Sequence, residues 1–504
     1  MKQILFCFTF FLSVLYCFSQ QPAFVADSMD AYINRGLKEW NIPGLAVAVV
    51  KDGKVVFMKG YGIRQVGKPD KVDENTLFMI ASNTKLFTGT ALANLEAQKK
   101  LSLDDHVSKY IPGFRLYDEN SSRIVSIRDI LSHRIGTKTF QGDFTFWNST
   151  LPREEIINRM RLLKPPFIFR QDLGYCNSCF LTAGQIIPVV TGHSWSDYIQ
   201  ENFLTPLGMS NTYPLTKDFD KRVDIAHPYT NTFGELKEVP FDSIDNFAPA
   251  AGIVSNVKDL SKWLIMQLDS GRYNGKQIVP WSVVQKTRDI NTISGSRKSS
   301  VYPSHFRGYG LGVFMTDYNG RMVYYHTGGA DGFVTNTCFV PEENLGITIL
   351  TNNDNNIFFE ALRYQILDAY LGVPYTNRDA FYLKYATAEN AETMAGIDTL
   401  NLRAAAGNKP AVELSAFAGN YNNTLFGDIH ITQKGSRLLI SFDNHPHLTA
   451  TLQYMDHNEF LLTYSHPGYG IFPAKFTIEN GKVKSVLIKV NDFLEYDPYL
   501  FKKK

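Results

Sequence analysis

The sequence has no excess of charge of either sign: 51 lysines and arginines stand against 49 aspartates and glutamates, giving a net charge of +2. Proteins that bind nucleic acid or anionic lipid electrostatically carry a basic patch or stripe. The balanced composition therefore gives no indication of a nucleic-acid partner. Hydrophobic residues make up 44% of the chain and aromatic residues 13%, which excludes disorder as the main state because these residues can form a core.

Long apolar runs are also lacking, except at the amino terminus. Residues 4–18 are almost wholly apolar; Lys2 precedes them, and Ser19 and two glutamines follow. A basic start, an apolar run and a small residue before a polar stretch are typical of a secretory signal peptide. We predict a signal peptide over residues 1–20 and a secreted or periplasmic protein without a membrane span. A membrane anchor is the alternative, but the run is shorter than the roughly 20 residues that span a bilayer. Cys17 raises a lipoprotein alternative, which the bulky Tyr16 disfavours.

Cysteine is scarce, and the familiar metal and cofactor motifs are missing. Cys176, Cys179 and Cys338 are the cysteines beyond the predicted signal peptide. The spacing of the first two is that of a redox motif, but no thioredoxin-like pattern surrounds it. Small, buried thiols that pack as serine or alanine would are the favoured interpretation. No Cys/His cluster has zinc spacing, and G-x-S-x-G, H-E-x-x-H, the phosphate loop and G-x-G-x-x-G are all absent from the sequence. We therefore predict neither a metal site nor a cofactor.

Apolar periodicity indicates an α+β domain over residues 21–385. Strand-like runs occur near both ends of this region, at residues 45–50, 55–58, 310–315, 322–325, 335–340 and 346–351. Between them lie amphipathic helical patterns, the first over residues 82–99. This order predicts a mixed domain whose two ends jointly build an antiparallel sheet flanked by helices, with the middle helices forming a second lobe.

The pattern changes twice after residue 385. Residues 386–412 are rich in alanine, asparagine, glutamate and threonine without a strong period, and we predict a linker there. Residues 413–504 carry short alternating strands separated by turn signals such as Asn480-Gly481. About eight such strands predict a small closed all-β barrel. The barrel could hold a ligand, be filled by its own side chains, swing over the catalytic mouth as a lid, or form an oligomer contact.

Ser82-Asn-Thr-Lys85 is the first candidate catalytic motif. If Ser82 opens a helix, Lys85 lies one turn later on the same face. The helix start would stabilise negative charge on the serine oxygen, and a lysine kept neutral by burial could take the serine proton. The spacing alone is a weak signal because it recurs at Ser255-Asn-Val-Lys258. The apolar residues 77–81 favour the first copy, since they would seat the helix start in the core. A solvated helix lysine is the alternative for Lys85.

Two further motifs contain groups suited to acyl transfer. Tyr175 could act as a base for the serine and an acid for the leaving group, and Asn177 could bond both the serine–lysine network and a substrate amide. A half-buried tyrosine with a bonded hydroxyl is the alternative. His326-Thr327-Gly328-Gly329 ends a predicted strand, where glycines let a substrate backbone approach. A backbone N–H there could form an oxyanion hole with that of Ser82. The alternative for His326 is a polar residue that caps a strand.

In this order, the three motifs resemble those of serine β-lactamases and penicillin-binding proteins. The surrounding sequence resembles the class C-like branch, which also contains D-aminopeptidases, D-Ala-D-Ala carboxypeptidases and esterases. Further segments that resemble landmarks of that branch are Ile127-Arg-Asp-Ile-Leu-Ser-His133, Pro206-Leu-Gly-Met209, Ala251-Gly-Ile-Val-Ser-Asn256 and Tyr309-Gly-Leu-Gly312. The resemblance covers about residues 24–375, and residues 414–501 resemble the lipocalin-like barrel that follows some of these hydrolases.

The resemblance implies a role for each motif residue. Ser82 would be the acylated nucleophile, with Lys85 and Tyr175 as its base network. Substrate binding would fall to Asn177, His326, Thr327 and Gly328, and the oxyanion hole to Ser82 and Gly329. His326 stands where many relatives have a lysine. Because histidine is mostly neutral near pH 7, it attracts a substrate carboxylate less than lysine would. This departure favours peptidase or esterase activity over efficient β-lactam hydrolysis.

We therefore expect an exported serine hydrolase that works through an acyl-enzyme on Ser82. Its partner would be a small-molecule or peptide substrate: a D-amino-acid-containing peptide or amide, such as a peptidoglycan fragment, or a small ester. A β-lactamase is the alternative within the enzyme class. A non-catalytic protein whose barrel binds a ligand is the alternative outside it. Whether Lys85 or Tyr175 takes the first proton, and the oligomeric state, stay open.

Overall fold

The computed structural model describes residues 21–504. The predicted signal peptide, residues 1–20, lies outside the described residues. Within them, the chain forms an α+β domain followed by a closed β-barrel, which confirms the predicted fold class. No helix in this part of the chain combines the length and apolar character needed to cross a membrane.

The first domain is organised around an eight-stranded antiparallel sheet. Its strands are β1 (Gly44–Lys51), β2 (Lys54–Gly62), β3 (Thr292–Gly295), β4 (Arg307–Tyr309), β5 (Phe314–Tyr318), β6 (Arg321–Ala330), β7 (Phe333–Val340) and β8 (Leu345–Thr351). Their spatial order is β2-β1-β8-β7-β6-β5-β4-β3. The two ends of the domain meet where β1 pairs with β8, as predicted. Every residue of β8 and all but the last of β1 are buried, so apolar burial favours this closure.

The predicted strand over residues 310–315 is wrong for residues 310–313, and only Phe314 and Met315 belong to a strand, β5. The chain turns between Tyr309 and Phe314, and Gly312 adopts a left-handed φ of +79°. A side chain at Gly312 would lie 2.2 Å from the carbonyl oxygen of Lys85, and one at Gly89 would lie 2.0 Å from that of Leu311. The two glycines thus let this turn pack directly on the helix that follows Ser82, and close backbone approach overrides the strand-like sequence.

Helices cover both faces of the sheet. They are α1 (Met29–Glu39), α2 (Thr84–Ala97), α3 (Glu119–Ile124), α4 (Ile127–Leu131), α5 (Asp143–Phe146), α6 (Arg153–Arg159), α7 (Asn177–Thr191), α8 (Trp195–Ile199), α9 (Thr205–Leu207), α10 (Ala248–Ala251), α11 (Val257–Leu268), α12 (Trp281–Thr287), α13 (Phe358–Leu371) and α14 (Arg378–Ala405). One core unites α2, α7 and α11 with the inner face of the sheet. A second core packs α1 and α13 on the outer face. Helix α2 is buried on all sides from Thr84 to Leu95, which holds its first turn rigidly in place.

The segment predicted as a linker, residues 386–412, lies largely within a helix. Helix α14 runs for 28 residues, and the Asn377 side chain caps it by accepting from the backbone N–H of Ala380. Most of its residues are exposed or half-buried, which is why the sequence lacks an apolar period there. At its far end, Arg403 pairs with Asp456 and Glu459 of the barrel. A helix that is tied to the barrel thus joins the two domains.

The barrel is closed and antiparallel, as predicted. Its strands are β9 (Gly419–Asn423), β10 (Gly427–Lys434), β11 (Arg437–Phe442), β12 (Thr449–Asp456), β13 (Glu459–Tyr464), β14 (Ile471–Glu479), β15 (Lys482–Ile488) and β16 (Tyr499–Lys503). Aromatic side chains fill its interior, where the rings of Phe417, Phe460 and Phe476 lie 5.0 Å apart. Phe144 of the first domain is part of the same core.

Candidate active site

Ser82 lies at the entry to helix α2, as the sequence predicts. The two-residue strand Phe78–Met79 pairs with Val254–Ser255, and a 3-10 turn over Ala81–Asn83 leads into the helix. Ala81 has a left-handed φ of +46°, which is uncommon for a residue with a side chain and is a strained conformation that packing must hold. This bend is fixed on both sides, because the backbone N–H of Ile80 donates to the carbonyl of Ile253 and the N–H of Ile253 donates to the Thr84 hydroxyl. The Ser82 side chain consequently lines a cavity while the backbone around it is buried.

Lys85 is fully buried one turn after Ser82. Its Nζ lies 2.9 Å from Ser82 Oγ, 2.7 Å from Asn177 Oδ1 and 2.9 Å from the carbonyl oxygen of Ala250. The prediction that Lys85 shares a face with Ser82 is confirmed, and the alternative of a solvated lysine is wrong. Burial lowers the pKa of Lys85 to about 7, an effect that nearby Asp143 partly opposes. The amine is therefore neutral in a large fraction of molecules near neutral pH.

Tyr175 closes the other side of the lysine. The Lys85 Nζ lies 4.7 Å from the centre of the Tyr175 ring. Tyr175 is buried rather than half-buried, and among residues 21–504 its hydroxyl has no partner in ordinary hydrogen-bond geometry. Burial raises the pKa of Tyr175, although the neighbouring Ser82 hydroxyl lowers it in part. The phenol is therefore neutral and keeps its proton.

Asn177, the first residue of α7, connects Lys85 to a carboxylate that the sequence analysis did not single out. Its Oδ1 accepts from Lys85, and its Nδ2 donates to Asp143 Oδ2 at 2.7 Å. Asp143 is 3% exposed, and burial raises its pKa well above the usual range. Asp143 lies in an aromatic-rich stretch, residues 140–147, and matches no motif, so no pattern could have identified it.

His326 is buried, and both of its ring nitrogens are occupied. Its Nδ1 lies 2.8 Å from the carbonyl oxygen of Thr327, so Nδ1 carries the proton and donates it. Its Nε2 then accepts from the Tyr309 hydroxyl at 3.1 Å. Burial, reinforced by the charge of Lys85, lowers the pKa of His326 to about 3. His326 is thus neutral and offers no positive charge to a substrate.

His133 completes this chain of bonds. The backbone N–H of Cys176 donates to its Nδ1 at 3.0 Å, which places the proton on Nε2, 3.2 Å from the Tyr309 hydroxyl. Tyr309 therefore accepts from His133 and donates to His326. Two segments that resembled family landmarks, Ile127–His133 and Tyr309–Gly312, thereby connect the Tyr175 segment to β6.

Thr327, Gly328 and Gly329 lie on the part of β6 beyond its pairing with β5. A side chain at Gly328 would lie 2.1 Å from the carbonyl oxygen of Ile80, so glycine is required for the strand to approach the Ser82 segment. The Thr327 hydroxyl accepts from Asn336. Ser82 and Gly329 line one cavity, and their role as an oxyanion hole stays a prediction.

Both domains line this cavity, whose volume is about 490 Å³. All the candidate residues belong to the first domain. All of them line the cavity except Lys85, which is buried behind Ser82. The barrel contributes Phe493 and Leu494, from the loop between β15 and β16. The ring of Phe493 covers Gly329, since a side chain there would lie 2.7 Å from it. These barrel residues could not be identified from the sequence, because the contact joins segments that are distant in the chain.

The second Ser-x-x-Lys motif lies apart from the site. Ser255 bonds Thr212, while Lys258 is exposed and bonds Asn75, so the second Ser-x-x-Lys is not a pair. Cys176, Cys179 and Cys338 are buried free thiols, in agreement with their interpretation from sequence. Across residues 21–504, no group of three or more histidine, cysteine or acidic side chains is arranged to hold a metal ion.

Comparisons with known proteins agree with this architecture. Residues 29–371 match the family model described as Beta-lactamase. Residues 403–503 match a domain of unknown function, DUF3471. An octameric penicillin-binding protein homologue from Pyrococcus abyssi has a similar fold, with a TM-score of 0.61 at 22% identity, over 94% of this chain and 99% of that one.

Two curated relatives have similar sequences. Protein flp of Staphylococcus aureus (strain COL) is 28% identical over 331 residues, or 64% of this chain and 62% of its own length. The match thus spans less than two thirds of that relative. Unguisins hydrolase ungD of Aspergillus violaceofuscus (strain CBS 115571) is 26% identical over 481 residues, which cover 88% of this chain and 82% of that protein.

Proposed function

The chain belongs to the β-lactamase family of serine hydrolases, and we propose that it hydrolyses its substrate through an acyl-enzyme on Ser82. The observation that carries the proposal is the bonding of the buried lysine. An unprotonated amine has two N–H groups and one lone pair. Asn177 Oδ1 and the Ala250 carbonyl can accept the two N–H groups, which leaves the lone pair for Ser82 Oγ at 2.9 Å.

In the proposed reaction, Lys85 takes the Ser82 proton as Oγ attacks the acyl carbon. The carbon–oxygen bond to Ser82 forms, and the bond to the leaving group breaks. Tyr175 is neutral and unbonded by protein groups of the described chain, so it can donate a proton to the leaving group and recover one from Lys85. Water then releases the acyl group from Ser82 by the reverse sequence. This assigns the first proton acceptor to Lys85 and the acid to Tyr175.

We propose D-amino-acid-containing peptides or amides and small esters as substrates, and export by the predicted signal peptide. The neutral state of His326 supports this choice over a β-lactamase, since it provides no cation for the carboxylate of a β-lactam. The aromatic filling of the barrel argues against a ligand-binding protein. Similarity to a relative that is named a hydrolase also supports catalysis.

A substrate panel tests this proposal. D-amino-acid amides, D-amino-acid dipeptides, p-nitrophenyl esters and nitrocefin are assayed side by side with the wild type and Ser82→Ala. Ser255→Ala, in the second Ser-x-x-Lys, is the matched control. We expect turnover of a D-amide, dipeptide or ester that is lost in Ser82→Ala and retained in Ser255→Ala. Faster turnover of nitrocefin than of every amide and ester would instead identify a β-lactamase, and equal turnover by wild type and Ser82→Ala would overturn the acyl-enzyme.

A further inference from the structure

Asp143 fixes which way the Asn177 amide faces. Nδ2 donates to Oδ2 of Asp143 at 2.7 Å, and Oδ1 on the other side of the amide accepts from Lys85. A rotated amide would turn its N–H groups towards the lysine and its oxygen towards a carboxylate. Lys85 would then lose Asn177 Oδ1 as a hydrogen-bond acceptor and would keep only the Ala250 carbonyl besides Ser82. The orientation of the lysine lone pair therefore depends on Asp143.

The short helix that carries Asp143 is held by the barrel. Helix α5 has four residues, too few to be stable by itself. Glu495, in the loop between β15 and β16, accepts from the backbone N–H of Gly142 and from that of Phe144, each at 2.9 Å. The hydroxyl of Tyr499 donates to the same carboxylate at 2.7 Å. Glu495 thus bonds the backbone on both sides of Asp143.

Phe144 also anchors this helix to the barrel. Its side chain is fully buried in the barrel core, with ring centres 4.7 Å from Phe426 and 5.4 Å from Tyr499. Consecutive residues of one short helix therefore have different partners. Asp143 contacts the catalytic amide, and Phe144 contacts the barrel.

We propose that Asp143 and Glu495 are positioning residues, through which the barrel fixes Asn177 and Lys85 at the catalytic serine. The proposal rests on the acyl-enzyme function proposed above. Neither carboxylate reacts with the substrate. Glu495 holds the backbone of Asp143, Asp143 orients the Asn177 amide, and the amide orients the lysine. The barrel is then neither a lid nor a separate ligand carrier but a part of the catalytic unit.

This arrangement predicts a specific kinetic signature. Small displacements of catalytic groups cost up to about 100-fold in rate. Loss of a positioning bond should lower kcat and leave KM nearly unchanged, because the walls of the cavity stay in place. In a protein that already lacks the Asp143 side chain, a second substitution that acts through Asp143 should cause no further loss of kcat.

The test uses the full-length protein and p-nitrophenyl acetate. We expect Glu495→Gln to lower kcat about tenfold, with KM within about twofold of wild type. In an Asp143→Ala background, the same change should alter kcat by less than about twofold. Glu479→Gln, at an exposed acid on β14, is the matched control and should retain wild-type kcat. If Glu495→Gln does not fold, Tyr499→Phe replaces it, with an expected loss of about threefold that also disappears in the Asp143→Ala background.

The outcomes separate this proposal from the one before it. A wild-type kcat in Glu495→Gln, or an equal loss with and without Asp143, would overturn the positioning role. Labelling of the wild type with a fluorophosphonate tests the nucleophile independently. If Ser82 is labelled and Glu495→Gln gives either of these two kinetic results, only the positioning role is overturned. If Ser82 is not labelled, the acyl-enzyme is overturned, and the positioning role falls with it.

Discussion

The Lys85 amine lies 2.9 Å from the Ser82 hydroxyl oxygen and has no exposure to solvent. A lysine in water is charged at neutral pH and cannot accept a proton. Burial changes this by lowering the pKa of Lys85 to about 7. The contact and the burial together suit this lysine to act as the base in the proposed reaction.

The first prediction concerns the pH dependence of acylation. Because the neutral amine is the active form, the rate should rise with pH, reach half its maximum near pH 7 and level off above pH 8. Lys85→Arg should lower the rate by about 10²–10⁴-fold, since a guanidinium stays charged. The burst of p-nitrophenol from p-nitrophenyl acetate between pH 5 and 9 measures this. A rate that is constant across this range would contradict the assignment.

The second prediction separates activity from stability at Tyr175. Tyr175→Phe should lower kcat about 100-fold by removing the acid. The free energy of unfolding should stay the same or rise by about 1 kcal/mol, since no group of the described chain bonds this buried hydroxyl. Paired kinetic and denaturant-unfolding measurements check both effects. A variant destabilised by about 2 kcal/mol would indicate a structural bond instead.

The third prediction uses the contact between Gly329 and Phe493. Gly329→Ala should lower kcat/KM, because the added methyl group would lie 2.7 Å from the Phe493 ring. Phe493→Ala in that background should restore part of the loss by freeing space. The kcat/KM values of the two single variants and the double variant form the measurement. An equally impaired double variant would mean that the methyl group interferes with substrate rather than with the ring.

The fourth prediction concerns Asp331, a cavity residue beside Asp354. Burial, aided by the charge of Asp354, raises the pKa of Asp331 to about 7. The folded state therefore binds more protons than the unfolded state between about pH 4 and 7, and stability falls as pH rises through this window. Asp331→Asn should stabilise the protein by about 1–3 kcal/mol at pH 8 and have little effect at pH 4. An equal effect at both pH values would contradict this titration.

The sequence was sufficient to predict that Ser82 and Lys85 lie side by side. Ser82 and Lys85 are one helical turn apart, so local geometry alone brings them together. Tyr175, Asn177 and His326 could be added only through resemblance to a family, because spacing does not relate segments so distant in the chain. The neutral state of His326 follows from ordinary histidine chemistry, but its fixed tautomer depends on Tyr309 and His133.

The cross-domain contacts could not be predicted. Nothing in the residues around Asp143 or Glu495 distinguishes them from other acids, since their partners are backbone groups and an amide from other segments. The helix α14 was missed for a related reason. A helix whose surface is mostly exposed has no apolar stripe that the sequence could reveal. Its position is set by contacts at its ends with residues distant in the chain, such as the ion pair between Arg403 and Asp456.

Peptide mapping of a fluorophosphonate adduct tests the central claim most directly. Wild-type protein is labelled at pH 8, digested and analysed by mass spectrometry, in parallel with Lys85→Arg and Ser255→Ala. We predict a single adduct on Ser82 in wild type and in Ser255→Ala, with labelling slowed at least about 100-fold in Lys85→Arg. An adduct on another residue, or labelling of Ser82 at the wild-type rate in Lys85→Arg, would contradict the account.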